Sequence, residues 1–137
     1  MFIRRIILVL LVLTCSVGLA QAEWRELDTI STYGGFTIYG DPTTLRLDTE
    51  RRLAKMWVLY DFKTVQKSSK GAYLSMKELW HFNCKEKRYR TSTASYFSGH
   101  MANGNLVFNQ LTEGSWISAP PGTISADLSE LACRAMS

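Results

Sequence analysis

The chain has 137 residues, 46% hydrophobic and 20% charged, which fits one compact domain and leaves little room for two. Three Pro, 9 Gly and 12% aromatic residues are ordinary globular usage; they exclude a collagen-like chain, a low-complexity linker and a disordered tail. Lys+Arg number 16 against 12 Asp+Glu, a net +4 that falls to +2 once an N-terminal segment carrying Arg4 and Arg5 is removed, too little for a general polyanion or nucleic-acid binder.

That segment comes first in the chain. Arg4 and Arg5 precede the apolar run Ile6 to Leu13, and Val17-Gly18-Leu19-Ala20-Gln21-Ala22 ends in small residues. The tripartite pattern predicts a secretory signal, residues 1–22, cut after Ala22. Its charge-free stretch, Ile6 to Ala22, is 17 residues, short of the ~20 that a spanning helix needs. Cys15 raises the alternative of a lipid anchor, but Leu13 and Thr14 precede it where small residues belong. The expected working domain is therefore residues 23–137, exported by the general secretory route to the periplasm or cell surface, with no membrane span after cleavage.

Strand-like alternation then dominates. A run around Trp24 to Ile30 reaches the turn Tyr33-Gly34-Gly35, and Phe36 to Gly40 follows until Asp41-Pro42 breaks it. A short run near Thr44 to Leu47 ends in the polar turn Asp48-Thr49-Glu50. Leu53 to Phe62 puts Met56, Val58, Tyr60 and Phe62 on one side, with Trp57 and Leu59 on the other, so both faces should be partly buried. After the loop Lys67 to Gly71, the longest run, Ala72 to Cys84, aligns Leu74, Met76, Trp80, Phe82 and Cys84 on one face. Arg88 to Phe97 and Leu106 to Phe108 are separated by Asn103-Gly104, a dipeptide suited to a tight hairpin. Trp116-Ile117 begins a last short strand, stopped by Pro120-Pro121-Gly122.

From Thr123 to Met136 the period changes to that of a helix. Ile124, Leu128, Leu131, Ala132 and Ala135 form the stripe that should pack on the sheet, and Thr123 or Ser125 can cap the first amides. The expected class is α+β: an antiparallel, meander-like sheet with a C-terminal helix packed on it.

Cys84 and Cys133 are the two cysteines left after cleavage, an even count in an exported chain, which predicts a disulfide. With 48 residues between them the bond is worth ~4 kcal/mol. Cys133 fits awkwardly, about 150° from the centre of the helical stripe at ~100° per residue, so the helix should fray there or meet the sheet at an edge.

Catalytic and metal chemistry find no support. His81 and His100 are the two histidines; neither forms a short ligand cluster with Cys84 or Cys133, and no nucleophile elbow is present. Gly34-Gly35 lacks the Lys-Ser/Thr of a phosphate cradle, and Asp41, Asp48, Asp61 and Asp127 are too scattered for a calcium loop. No catalytic residue, metal or cofactor is expected.

In order along the chain, Trp24, Thr37-Ile38-Tyr39-Gly40-Asp41, Met56 to Asp61, Ser75-Met76-Lys77, Trp80-His81-Phe82-Asn83-Cys84 with Arg88 and Arg90, Trp116-Ile117 with Pro120-Pro121-Gly122, and Cys133 resemble the bacterial surface-adhesin protein E family of small exported proteins. The specificity lies in the order of these pieces and in the two cysteines. At the position of Asn83 the family is often acidic. The resemblance implies a sheet with a C-terminal helix tethered to it by a disulfide. It also implies binding to a host extracellular-matrix or plasma protein; another envelope protein is the other expected partner.

The matching surface feature is the basic cluster of Lys85, Lys87, Arg88 and Arg90, with Arg51, Arg52 and Lys55 in another turn region. Brought together, they would attract acidic segments of a partner protein or a sulfated glycan. The competing reading is a solvated hairpin whose charges protect a sheet edge. A periplasmic accessory protein without an adhesin role, paired with another subunit or a second copy through a strand edge, is the alternative function.

Overall fold

The computed structural model describes residues 22–26, 35–111 and 113–136. The expected signal through residue 21, Cys15, the 27–30 part of the first expected strand and Tyr33-Gly34 lie outside the described residues. The strands are β1 (Arg25–Glu26), β2 (Phe36–Gly40), β3 (Arg46–Asp48), β4 (Leu53–Ser68), β5 (Gly71–Asn83), β6 (Arg88–Phe97), β7 (Leu106–Leu111) and β8 (Ile117–Ser118), followed by helix α1 (Ile124–Cys133). They form one antiparallel sheet in the order β1-β2-β4-β5-β6-β7.

Both flanks of the long β4–β5–β6 meander are made of two short pieces. β2 and β3 both pair with β4, and β7 and β8 both pair with β6. Asp41-Pro42 ends β2 because proline cannot donate to the ladder, and residues 42–44 turn as a 3-10 helix capped by the Asp41 side chain, which accepts from Thr43 N at 3.0 Å. The detour stays bonded to β4: Asp41 N donates to Trp57 O at 3.0 Å, and Trp57 N to Thr44 Oγ1 at 3.1 Å.

Register sorts the side chains. Ala54 faces Phe82, Met56 faces Trp80, and Ile38 faces Tyr60 across the ladders. With Val58 they form the buried face on which Leu128 and Ala132 of α1 sit. Gly40 lets the helix approach closely, since a Cβ there would lie 3.0 Å from both Leu131 Cδ2 and Met56 Cε. Thr123 caps α1, accepting from Ala126 N at 3.2 Å. Cys84 and Cys133 are disulfide-bonded with Cα atoms 5.7 Å apart, which ties the end of α1 to the end of β5. Beyond the helix the same face carries a row of aromatic contacts from Phe36 through Tyr60, Phe62, Tyr73 and Tyr96 to Phe108.

Three expectations need adjustment. β4 runs on to Ser68 and turns through Ser69-Lys70 into Gly71, because the polar stretch after Phe62 pairs through its backbone, with a register shift between Asp61 and Gln66. Asn103-Gly104 does not make a two-residue hairpin. Residues 98–105 form a longer loop with a 3-10 turn at His100–Ala102, anchored from below by the buried Ser75 hydroxyl, which donates to Gly99 O (2.6 Å) and accepts from Ala102 N (2.9 Å). Ala135 is exposed, since α1 ends at Cys133 and residues 134–136 continue as a 3-10 turn with a different period. That same helix end lets Cys133 reach Cys84 although it lies off the buried stripe.

Candidate partner-binding surface

The two basic segments lie side by side at the disulfide end of the sheet. The turns β3–β4 and β5–β6 are built alike. Asp48 Oδ1 accepts from Arg51 N at 3.1 Å and Asn83 Oδ1 from Glu86 N at 2.9 Å; Arg52 and Lys87 then take left-handed φ values of 55° and 54°. A side-chain carbonyl oxygen at Asn83 therefore does what the Asp48 carboxylate does in the neighbouring turn. Cys84 N donates to Arg52 O at 2.9 Å and holds the turns together. Lys85, Lys87, Arg88, Arg51 and Arg52 are all exposed there. Arg51 meets Asp48 at 3.9 Å, an exposed pair that leaves most of its charge available to solvent.

Two members of the expected grouping stand elsewhere. Lys55 is inside β4, opposite Arg46 and His81, on the face that α1 leaves open. Arg90 is opposite His81 on β6, its guanidinium 4.9 Å from the Trp116 ring centroid. His81 sits between them. Burial, then the charges of Arg90 and Lys55, hold its imidazole below the usual histidine range. Its Nε2 lies 2.9 Å from Ser92 Oγ, the residue bulged out between Leu79 and Trp80 pairings. Glu113 lines the same groove, and its charge works against that lowering without a hydrogen bond to the ring. His100 is exposed and 3.1 Å from Asp61 Oδ1, which also accepts from Met101 N at 2.9 Å, a loop-anchoring role.

Sequence reasoning missed the open face as a unit. Trp57, Lys77, Arg46 and Lys55 line a groove of about 500 Å³ with Trp24 and Asp41. The alternation in β4 and β5 put Trp57 and Lys77 opposite the helix-covered residues, but that β3 would bring Arg46 beside Lys55 was invisible in the local pattern. Among the described residues no three of His, Cys, Asp or Glu converge as a metal site, and no helix is long and apolar enough to cross a membrane.

The sequence model of the Surface-adhesin protein E family matches residues 24–134. The chain belongs to that family. No curated protein sequence matches it. Solved structures of Haemophilus influenzae protein E share the fold at 10% identity: one has a TM-score of 0.60 over 82% of this chain and 95% of that one, and crystal form II has 0.59 over 82% and 98%. Protein E from non-typeable Haemophilus influenzae gives 0.55 over 83% and 86%. At such identity they establish the fold alone, and the family model carries the membership.

Proposed function

We propose that this chain is an exported, non-catalytic surface adhesin, residues 23–137 after removal of 1–22, that binds a host extracellular-matrix protein or an envelope protein. Two basic turns set side by side next to the disulfide support this reading most directly. Lys85, Lys87 and Arg88 with Arg51 and Arg52 present a cationic end to an acidic segment of the partner, and potential of this kind speeds encounter. The outer membrane's surface is the location an adhesin requires. Charge reversal of Lys85, Lys87 and Arg88 to Glu should abolish binding of the mature domain to immobilised vitronectin or laminin. Equal binding by wild type and the reversed variant, or none by wild type, rejects the reading.

The β7 edge favours a second one. Leu106 and Leu111 are 52% and 83% exposed there, the kind of edge on which another chain can add a strand. A periplasmic accessory protein paired with another subunit, or with a second copy, would use it. Protease added to intact cells separates the two: an adhesin is digested, a periplasmic protein is spared.

A further inference from the structure

The face of the sheet opposite α1 carries two adjoining grooves, of about 500 Å³ and 430 Å³, that share Leu79. Arg46, Lys55, Lys77 and Arg90 line them against two carboxylates, Asp41 and Glu113. Among the described residues none of these four cations is ion-paired: Lys77 lies over the rings of Trp57 (5.1 Å) and Phe97 (5.7 Å), Arg90 over Trp116 (4.9 Å), and Arg46 donates to Leu45 O (2.9 Å). A chain of small net charge thus concentrates positive charge on one surface.

A second observation is independent of charge. The buried side-chain polar atoms left without a hydrogen-bond partner among the described residues are Asp41 Oδ2 and Arg90 Nε, one acceptor and one donor, and each belongs to a groove-lining residue. Asp41 itself is fully buried. An unpaired buried polar group is costly and marks a place where something else completes the bonding.

We propose that this face binds a segment of an acidic polysaccharide. Its sulfate or carboxylate groups sit on Lys55, Lys77 and Arg90, the cations that line the two grooves. An acidic peptide fits less well, because a peptide laid on a sheet face leaves its own N–H and C=O groups unpaired and would seek an edge instead. Single-stranded nucleic acid stacks its bases on a series of aromatic faces, whereas Trp57 and Trp116 each hold a cation, Lys77 and Arg90, and among the described residues Trp24 alone of the lining indoles carries none.

The test is calorimetric titration of the disulfide-intact protein with a heparin-derived hexasaccharide. Binding should weaken about tenfold or more in Lys55→Gln/Lys77→Gln, return in Lys55→Arg/Lys77→Arg, and stay within about twofold in Lys85→Gln/Lys87→Gln. Neutral maltohexaose should not bind. The proposal is overturned if the hexasaccharide does not bind, if hexaglutamate or a dT hexanucleotide binds as tightly, or if the loss follows Lys85 and Lys87. The two turn lysines report on the proposed protein partner, so the two readings fail separately.

Discussion

Glu78 is an acid on the helix-covered face, held between Val58 of β4 and Ala94 of β6, both buried. Burial raises its carboxyl above the ordinary value of 4.5, and the hydrogen bond donated by Trp80 Nε1 at 2.8 Å only partly offsets this. The same burial, with the Glu78 charge behind it, drives the Tyr60 hydroxyl far up. The sign follows from proton binding. The folded state holds the Glu78 proton more tightly than the unfolded chain, so the stability it contributes is complete below pH 4.5 and is lost as the pH rises through the higher folded value. Glu78→Gln keeps a carbonyl acceptor for Trp80 and carries no charge. It should match wild type in urea unfolding below pH 4 and be the more stable protein at pH 7. A gap that is constant across pH would show that the carboxyl is not perturbed. His81 slopes the other way: its lowered value means stability is lost as the pH falls from 6.5 towards the folded value.

At the scale of elements, α1 is held by a narrow set of contacts. Leu128 is completely buried against the sheet, so Leu128→Ala should cost ~2–5 kcal/mol in urea unfolding. Ala135→Ser, on a residue the helical period also assigned to the buried stripe, should change stability by less than about 0.5 kcal/mol, because the chain has left the α-helix by then. The contrast shows what periodicity can and cannot reach. It located the helix and the buried Leu128 and Ala132, since 3.6-residue spacing is a local property, while residue type left the cap between Thr123 and Ser125. It could not see the helix end, which the bond to Cys84 and the 3-10 turn define. The β6–β7 connection failed for a similar reason. Asn103-Gly104 carries a hairpin preference, but Ser75 and Asp61, from distant strands, supply hydrogen bonds that stabilise a longer loop.

Across the whole molecule the disulfide links residues 49 positions apart in the chain. By restricting the unfolded chain it should contribute ~4 kcal/mol, a large share of the ~5–15 kcal/mol typical of a domain. The Cys84→Ala/Cys133→Ala protein should lose that amount in denaturant, while reductant should destabilise the wild type and leave the double variant unchanged. Equal midpoints with and without reductant would show that the bond contributes nothing. The pairing itself was legible, because setting aside Cys15 with the expected signal leaves two of the three cysteines, one partner each. So were the antiparallel class, most strand positions and the family, since alternation, turn residues and the order of aromatic anchors are written along the chain. Which charges share a surface was not. Lys55 and Arg90 are 35 positions apart in the chain and become neighbours of His81 only when β4, β5 and β6 pair in register. Local order alone therefore determined the class of fold and its covalent tie, whereas the division into a basic turn end and a basic open face arose from strand register, which only the pairing of distant segments can set.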